Sequence, residues 1–552
     1  MEDELAVKLI KRQEWLDSQR STWEQEWRDI AQRVLPRQDD FIGQRTRGEK
    51  RTEHIFDSTA PLALDRFSAA IESMLCPRAQ RWHTLRTTDR SLNLIPDVQL
   101  WFEDVTRILF ERRYAPKANF AGQMHEVFMS LGAFGTGCLY TTELPGYGLR
   151  YKSIFLGELF LSEDASGLVD TVYRRYKQSA RQVAQEVENG RYDMMPEKVQ
   201  HALDGDKPER EFEFLHAVYP NNEQKIGDIG PDGMPIASVY VCVDTKETLR
   251  KSGFRRMPYA ISRYVTSPTE TYGRSPSSLV LSDIRMLNEM SKTTLRAAHK
   301  VVDPPLLLHD DGVLGQLKTT PNAINYGGVD NNGRQLVHPL STGARVDIGL
   351  EMMDQRRRTI NDAFLVNLFQ ILVETPEMTA TEVLERAREK GALLSPAVGR
   401  QQTELLGPLI DRELQILMSN GTLPEIPPEL IEAQGEYEIE YDSPLTRAQK
   451  AEEGVGFLRT LEAAGSMAQF DPTVLEVFDA EKALRGLATI NGVPQSWMRQ
   501  SEELAAMRQQ REEMQQMQQM AQMGPGAESA ANAAKTMVEA QTLASGGEFG
   551  GV

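Results

Sequence analysis

Apolar residues recur every three to four positions over residues 4–35, with Trp23, Trp27, Ile30 and Val34 in step. That period predicts one long helix, which Pro36 ends. Further helices are expected at about 60–75, 98–114 and 119–134. From 139 to 265 the pattern changes to alternation, as in EFEFLHAVY (211–219) and IASVYVCVD (236–244), broken by Gly, Pro and Asp turns. Alternation of this kind predicts short strands, so the first half reads as a mixed α/β body.

Helical spacing returns in the middle of the chain. Ser275-Pro276 supplies a cap and a first-turn proline, Val280, Ile284, Leu287, Leu295, Ala298 and Val302 share a face of 277–302, and DPP (303–305) stops the helix. Short strands and turns follow, in PPLLLHDDG and NYGGVDNNGRQLVHPL. A second long helix is expected over about 347–373, with Leu350, Met353, Ile360, Phe364, Leu368 and Ile371 in register. At about 1.5 Å per residue each helix would be roughly 40 Å long. Two such helices joined by a small β-rich module predict a stalk with a tip.

The stretch VETPEMTATEVLERAREKGALL (373–394) lies where the second helix returns. Pro376 forbids continuation, because it lacks an amide hydrogen and clashes with the preceding turn. Thr379 and Glu382 form a capping box for the next helix, and Met378 with Val383 supplies a hydrophobic staple. Glu374, Thr375, Pro376, Glu377 and Met378 are then either a short exposed elbow or a turn buried between helices. The last third is helical apart from the strand candidate EYEIEYD (436–442). Residues 501–523 are rich in Met and Gln and have high helix propensity, and a Gly/Ala/Ser-rich tail follows Gly524-Pro525-Gly526. Gln-rich faces suit an inter-subunit bundle better than the core of a single chain.

Composition narrows the class. The 552 residues suffice for three or more domains, and 40% hydrophobic with 26% charged residues is ordinary for a soluble globular protein. No stretch approaches the roughly 20 apolar residues that span a bilayer, and the acidic, amphipathic start is no signal peptide. Three scattered cysteines, Cys76, Cys138 and Cys242, argue for a reducing compartment and read as small buried hydrophobes. The net charge of −18 means that any contact with nucleic acid is loose or confined to local basic rings.

Candidate chemistry is sparse. GAFGTGC (132–138) lacks the Lys-Ser/Thr of a phosphate-binding loop and leads into a strand, so close helix packing and a turn explain it better. The eight histidines form no zinc-like spacing, no Gly-x-Ser-x-Gly is present, and no cysteine is marked as a nucleophile. The acidic run 436–442 could touch a divalent ion, but alternating Glu with Tyr and Ile fits a half-buried strand. No cofactor is expected, and no enzymatic activity. The one local basic cluster is Arg356, Arg357 and Arg358, in which Arg357 falls on the apolar stripe of its helix. A charge there is costly unless it meets a partner or a wet surface. The cluster faces DNA or a neighbouring subunit, or it is solvated or paired within the chain.

Four stretches resemble the signatures of the head-to-tail connector, or portal, proteins of short-tailed bacteriophages. They are IFDSTAPLALDRFSAAIESMLCP with RWHTL (55–85), YGRSPSS (272–278), TPEMTATEVLER (375–386) and YDSPLTRAQK (441–450), in the family's order. The resemblance implies an α+β, largely helical fold and a homo-oligomeric ring, typically of twelve copies, around a channel for double-stranded DNA at one capsid vertex. Residues 1–275 would be the wing, 276–302 and 346–373 the stem, 303–345 the clip and 374–379 the tunnel loop. Residues 380–443 would return to the wing, 444–500 would form a helical crown, 501–523 a barrel-like helix and 524–552 a flexible tail. Implied partners are DNA that passes without tight binding, the terminase ATPase, tail adaptor and nozzle proteins, and major capsid and scaffolding proteins, with assembly in the host cytoplasm and no membrane. The clip residues Pro304, Pro305, Asn331, Asn332 and Arg334 would dock the terminase and then the tail. Twelve copies would carry 12 × (−18) = −216, a field that lets DNA slide without sticking. Two other classes stay open: a non-channel virion adaptor or scaffold, and a DNA-processing enzyme.

Overall fold

A computed structural model describes residues 3–366, 396–522 and 535–537, except 42–47, 90, 145, 147, 206, 229, 309–317, 319, 321, 327, 328, 330, 331, 341–345, 434, 435, 442, 443, 468–476, 491, 492, 494–496 and 500. The chain divides into two compact units, one of residues 1–85, 104–425 and 438–449, the other of 86–103, 426–437 and 450–552.

In the first unit, α1 (Glu4–Val34) starts at Asp3, whose carboxylate accepts from the Leu5 amide at 3.0 Å. Next come α2 (Thr59–Leu75), β1 (His83–Thr87), α3 (Pro96–Arg113) and α4 (Phe120–Phe134), the end of β1 and the first two turns of α3 being counted with the second unit. The strands β2 (Thr136–Leu144), β3 (Gly148–Ser153), β4 (Leu159–Glu163) and β5 (Val169–Ser179) precede two short helices, α5 (Ala180–Glu188) and α6 (Glu197–Asp204). Then come β6 (Glu211–Pro220), β7 (Ile236–Cys242), β8 (Glu247–Phe254) and β9 (Tyr259–Arg263). Strands β4-β5-β6-β7-β8 form one antiparallel sheet in that order, and β3-β2-β9 form a second.

The alternation seen in the sequence sorts the five-stranded sheet into two faces. Leu215, Ala217, Val239 and Val241 pack against Leu9, Ile10 and Leu16 of α1, whereas Phe212, Phe214, Tyr240 and Cys242 pack against Val183 of α5 and Val199 and Ala202 of α6. Each fully buried aliphatic side chain here stabilises by about 1.5–3 kcal/mol. The expectation of strands alone over 139–265 therefore needs correction, since α5 and α6 cover the second face. Their signal is a capping box: the Ser179 hydroxyl accepts from the Gln182 amide, and the Gln182 side chain accepts from the Ser179 amide at 2.9 Å.

The glycines of GAFGTGC serve packing. Gly135 ends α4 with φ +78°, and a Cβ on it would lie 2.2 Å from the Gly273 carbonyl oxygen. The crossing is mutual, because a Cβ on Gly273 would lie 2.2 Å from the Gly135 oxygen. Two backbones can meet this closely only where neither residue has a side chain. The Gly135 carbonyl accepts from the Tyr264 amide at 2.9 Å, and the Gly273 amide donates to the Thr136 hydroxyl at 2.9 Å.

Past this crossing the chain forms α7 (Pro276–Leu279), α8 (Leu281–Val302), β10 (Leu306–Leu308), β11 (Val337–Pro339) and α9 (Val346–Ala363). The helix expected over 277–302 is interrupted at Val280 (φ −110°, ψ 19°), a residue that buries its side chain at the joint. The one expected over 347–373 is interrupted after Ala363 by a turn in which Leu365 has φ +57°, and residues 367–373 lie outside the described residues. Phe364 is fully buried against Phe67 there, so packing overrides the helical period. Residues 374–379, with Glu374, Thr375, Pro376, Glu377 and Met378, and the capping box and staple that follow lie outside the described residues. Helix α10 (Gly407–Ser419) returns to the first unit and buries Leu409, Ile410, Leu414 and Leu417.

The strand candidate near 440 is β12 (Tyr437–Tyr441). Helices Pro444–Met467, Ala480–Ile490 and Ser501–Gln522 follow, so the later part of the chain is helical as expected. Cys76, Cys138 and Cys242 are all buried. The class is α+β and largely helical.

Candidate functional site

Three of the quoted sequence stretches anchor the paired helices. Ser275 caps α7: its hydroxyl accepts from the Ser278 amide at 2.9 Å, and the Ser278 hydroxyl stands 3.0 Å from the Ser275 amide that donates to it. Ser277 donates to the Gly132 carbonyl at 2.9 Å, which ties YGRSPSS to the end of α4. On α8, the buried side-chain oxygen of Asn288 accepts from the amides of Phe56 at 2.8 Å and Asp57 at 3.2 Å, in IFDST.

The basic cluster on α9 also meets this anchor. Arg357 donates to Asp57 at 3.1 and 2.8 Å and to Asp354 at 2.7 Å. Asp57 additionally accepts from the amide and hydroxyl of Thr59, at 2.9 and 2.5 Å, at the start of α2. Burial alone would raise the Asp57 carboxyl; the Thr59 hydrogen bonds and the Arg357 guanidinium outweigh it and hold it below its ordinary value. Arg356 pairs with Asp283 of α8 at 2.8 Å. Arg358 is exposed. The structure thus places Arg356 and Arg357 in ion pairs within the chain, and it brings Arg357 to the partner that its position on an apolar stripe demanded.

Helices α8 and α9 run antiparallel. Asp283 meets Arg356, Ser291 donates to the Met353 sulfur at 3.5 Å, and Gly349 lies beside Thr294. The seam is apolar near the anchor, where Ile284, Leu287, Met353 and Ile360 are buried. Toward the tip the stripe continues in sequence but not in packing: Leu295 is 55% exposed, Val302 84% and Leu350 50%.

At the tip, β10 and β11 pair antiparallel, Leu306 opposite Pro339 and Leu308 opposite Val337. The Pro305 carbonyl extends this ladder by accepting from the Leu340 amide at 2.9 Å. Pro304 is half-buried, while Pro305, Asn332 and Arg334 are exposed; Asn331 lies outside the described residues. Asn325 closes a turn by exchanging hydrogen bonds of 2.8 Å with the backbone of Lys318. Ile324, Tyr326 and Val329 are 72, 85 and 59% exposed.

Sequence reasoning missed the buried polar anchors of the first unit. Arg113 and Glu413, both fully buried, pair at 3.0 and 2.5 Å, and the Tyr151 hydroxyl donates to the same carboxylate at 2.5 Å. Arg263 pairs with Glu163 and with Glu404 at 2.8 Å. Partners 300 residues apart leave no local signal. Among the described residues no group of three or more His, Cys, Asp or Glu could hold a metal ion, and no helix is long and apolar enough to cross a membrane.

The paired helices are thus anchored at one end by ion pairs and hydrogen bonds within the chain and carry a small β-rich tip at the other. Residues 6–499 match the family model described as bacteriophage head to tail connecting protein, and the chain belongs to that family. Its relatives include the probable portal protein of Bordetella phage BPP-1, 30% identical over 517 residues (91% of this chain, 90% of the relative). The portal protein of Salmonella phage epsilon15 is 28% identical over 546 residues, covering 97% of this chain and 96% of the relative. Among solved structures, a chain from the neck of an empty GTA particle computed with C6 symmetry matches at 15% identity and a TM-score of 0.34, over 78% of this chain and 95% of that one. The family assignment makes this chain a structural component at the head–tail connection of a phage virion.

Proposed function

We propose that the protein is a portal: a ring of twelve copies at one capsid vertex, through which double-stranded DNA enters during packaging and leaves during ejection. The observation that carries this reading is the antiparallel pair α8–α9, fixed at one end by Asn288, Asp57 and Arg357 and bare at the other, where Leu295, Val302 and Leu350 are uncovered. Such surfaces need a neighbour, and in a closed ring the same face of each copy meets the next. Two relatives bearing the name portal protein support the same assignment.

In this reading α8 and α9 form the stem, and the tip around Pro304, Pro305, Asn331, Asn332 and Arg334 docks the packaging terminase and afterwards the tail adaptor and nozzle proteins. The wing meets capsid and scaffolding proteins and nucleates the head, and residues 444–523 form crown and barrel. Glu374 and Glu377 ring the channel as an acidic collar that touches DNA sterically and discourages adhesion. Arg358 adds a cation on the stem. Motor power comes from the terminase. In vitro packaging with Glu374→Lys/Glu377→Lys tests the channel assignment: intact rings with slowed or leaky DNA movement that depends on salt are expected. Unchanged packaging and retention at low salt would remove these residues from the channel.

A further inference from the structure

Between the two sheets of the first unit lies a cavity of about 560 Å³ that the portal reading does not use. Its size is that of a small-molecule site. Tyrosines and amide side chains dominate the wall, and Leu144 is its one aliphatic residue. Apolar surface comes mainly from tyrosine rings, and charged and amide groups interrupt it throughout.

Its charge runs against that of the molecule. Five cations, Arg150, Lys152, Arg174, Lys177 and Arg191, line the cavity against three carboxylates, Glu143, Glu158 and Glu186, in a chain of net charge −18. Two cations are neutralised locally: Arg174 pairs with Glu158 at 2.8 Å and Arg191 with Glu186 at 3.0 Å. Lys177 leans on Glu213 at 3.7 Å, a carboxylate already held by Arg175 at 2.5 Å. No carboxylate pairs with Lys152 among the described residues. Partial desolvation, and then the charge of Arg174, pull its ammonium below the ordinary lysine value.

The floor is rigid and preorganised. His216 is buried, stacks on Tyr240 with ring centroids 3.9 Å apart, and is tied to the Tyr259 hydroxyl at 2.6 Å and to Ser238 at 2.9 Å. Burial, followed by the charges of Arg174 and Arg191, holds this imidazole neutral, so it competes for no anion. Tyr176 donates to Tyr192, which donates to Gln178 at 2.8 Å, leaving the tyrosine edges fixed along the wall. These hydroxyls are spent on one another, so the wall supplies a rigid frame, and the surplus of positive charge within it is what would hold an anion.

We propose that this cavity binds a small, multiply charged oxyanion bearing phosphate or carboxylate groups, with Lys152 at its mouth as the principal free cation. The experiment is isothermal titration of the full-length protein, as purified in its assembled state, with inorganic phosphate and with citrate in low-salt buffer. Saturable binding of at least one probe is expected, and the two arms separate phosphate from carboxylate preference. Lys152→Ala should weaken it about tenfold, the effect of losing one charge-assisted contact. Lys8→Ala, at another exposed lysine, on α1, should bind as the parent does and controls for general charge effects. The proposal is overturned if neither probe saturates below about 10 mM, or if Lys8→Ala weakens binding as much as Lys152→Ala. It is overturned too if only an acidic peptide binds, which would make the cavity a docking point for a protein partner.

Discussion

Replacing Glu413 with Gln keeps the shape of the side chain and removes its charge, leaving Arg113 buried and cationic with no counter-ion. The structure sets the size of the effect. Arg113 and Glu413 are fully buried and share two hydrogen bonds, with the guanidinium also over the Trp82 ring at 4.6 Å. At an effective dielectric of about 20, unit charges 4 Å apart interact by about 4 kcal/mol. Breaking a buried pair from one side costs about 3–5 kcal/mol, since an arginine cannot shed its proton. Urea unfolding followed by tryptophan fluorescence reads this directly, with Trp82 as the local reporter. With a slope of about 2 kcal/mol/M, the transition of the first unit should move down by about 1.5–2.5 M. The double replacement Arg113→Leu/Glu413→Leu should cost less than Glu413→Gln, because no uncompensated charge remains. A loss below about 1 kcal/mol for Glu413→Gln, or a double variant costing as much as the two singles together, would refute the reasoning.

Two further perturbations follow from the same geometry. Burial keeps His83 and His216 neutral in the folded chain, with their pKa values well below the ordinary 6.5, so the unfolded chain binds more protons once pH falls below about 6.5. Stability should be flat above that pH and fall by roughly 1.4 kcal/mol per pH unit for each histidine below it; urea midpoints at pH 7.5, 6 and 5 that do not decline would contradict this. Arg357→Ala should destabilise by about 1–3 kcal/mol by stripping Asp57 of its cation, whereas Arg358→Ala should stay within about 0.5 kcal/mol. Equal thermal shifts for the two would show that the Asp57 contact contributes nothing.

How far the sequence revealed this architecture depends on how local each signal is. The start of α7 and the end of α8 were legible because Ser275-Pro276 and DPP act within a turn of the chain. The breaks at Val280 and Leu365 were not, since Val280 and Phe364 continue their apolar stripes without a signal and each break accompanies burial at the joint. Helices α5 and α6 hid between strands because each is barely two turns long, although Ser179 and Gln182 carried a readable cap. Arg357 was legible as a charge needing a partner; that the partner is Asp57, 300 residues away, required the fold. The same holds for Gly135 of GAFGTGC and Gly273 of YGRSPSS, each of which is explained by the other's backbone. The cavity around Lys152 draws on several strands and helices, so no stretch of sequence displays it.

The ring itself is tested most directly by native mass spectrometry of the purified protein, paired with negative-stain images. The portal reading predicts a particle of 12 × 62.2 kDa, about 746 kDa, with a central hole in end-on views. Monomer or dimer alone at micromolar concentration in several salts, or a large particle with no hole, would contradict it.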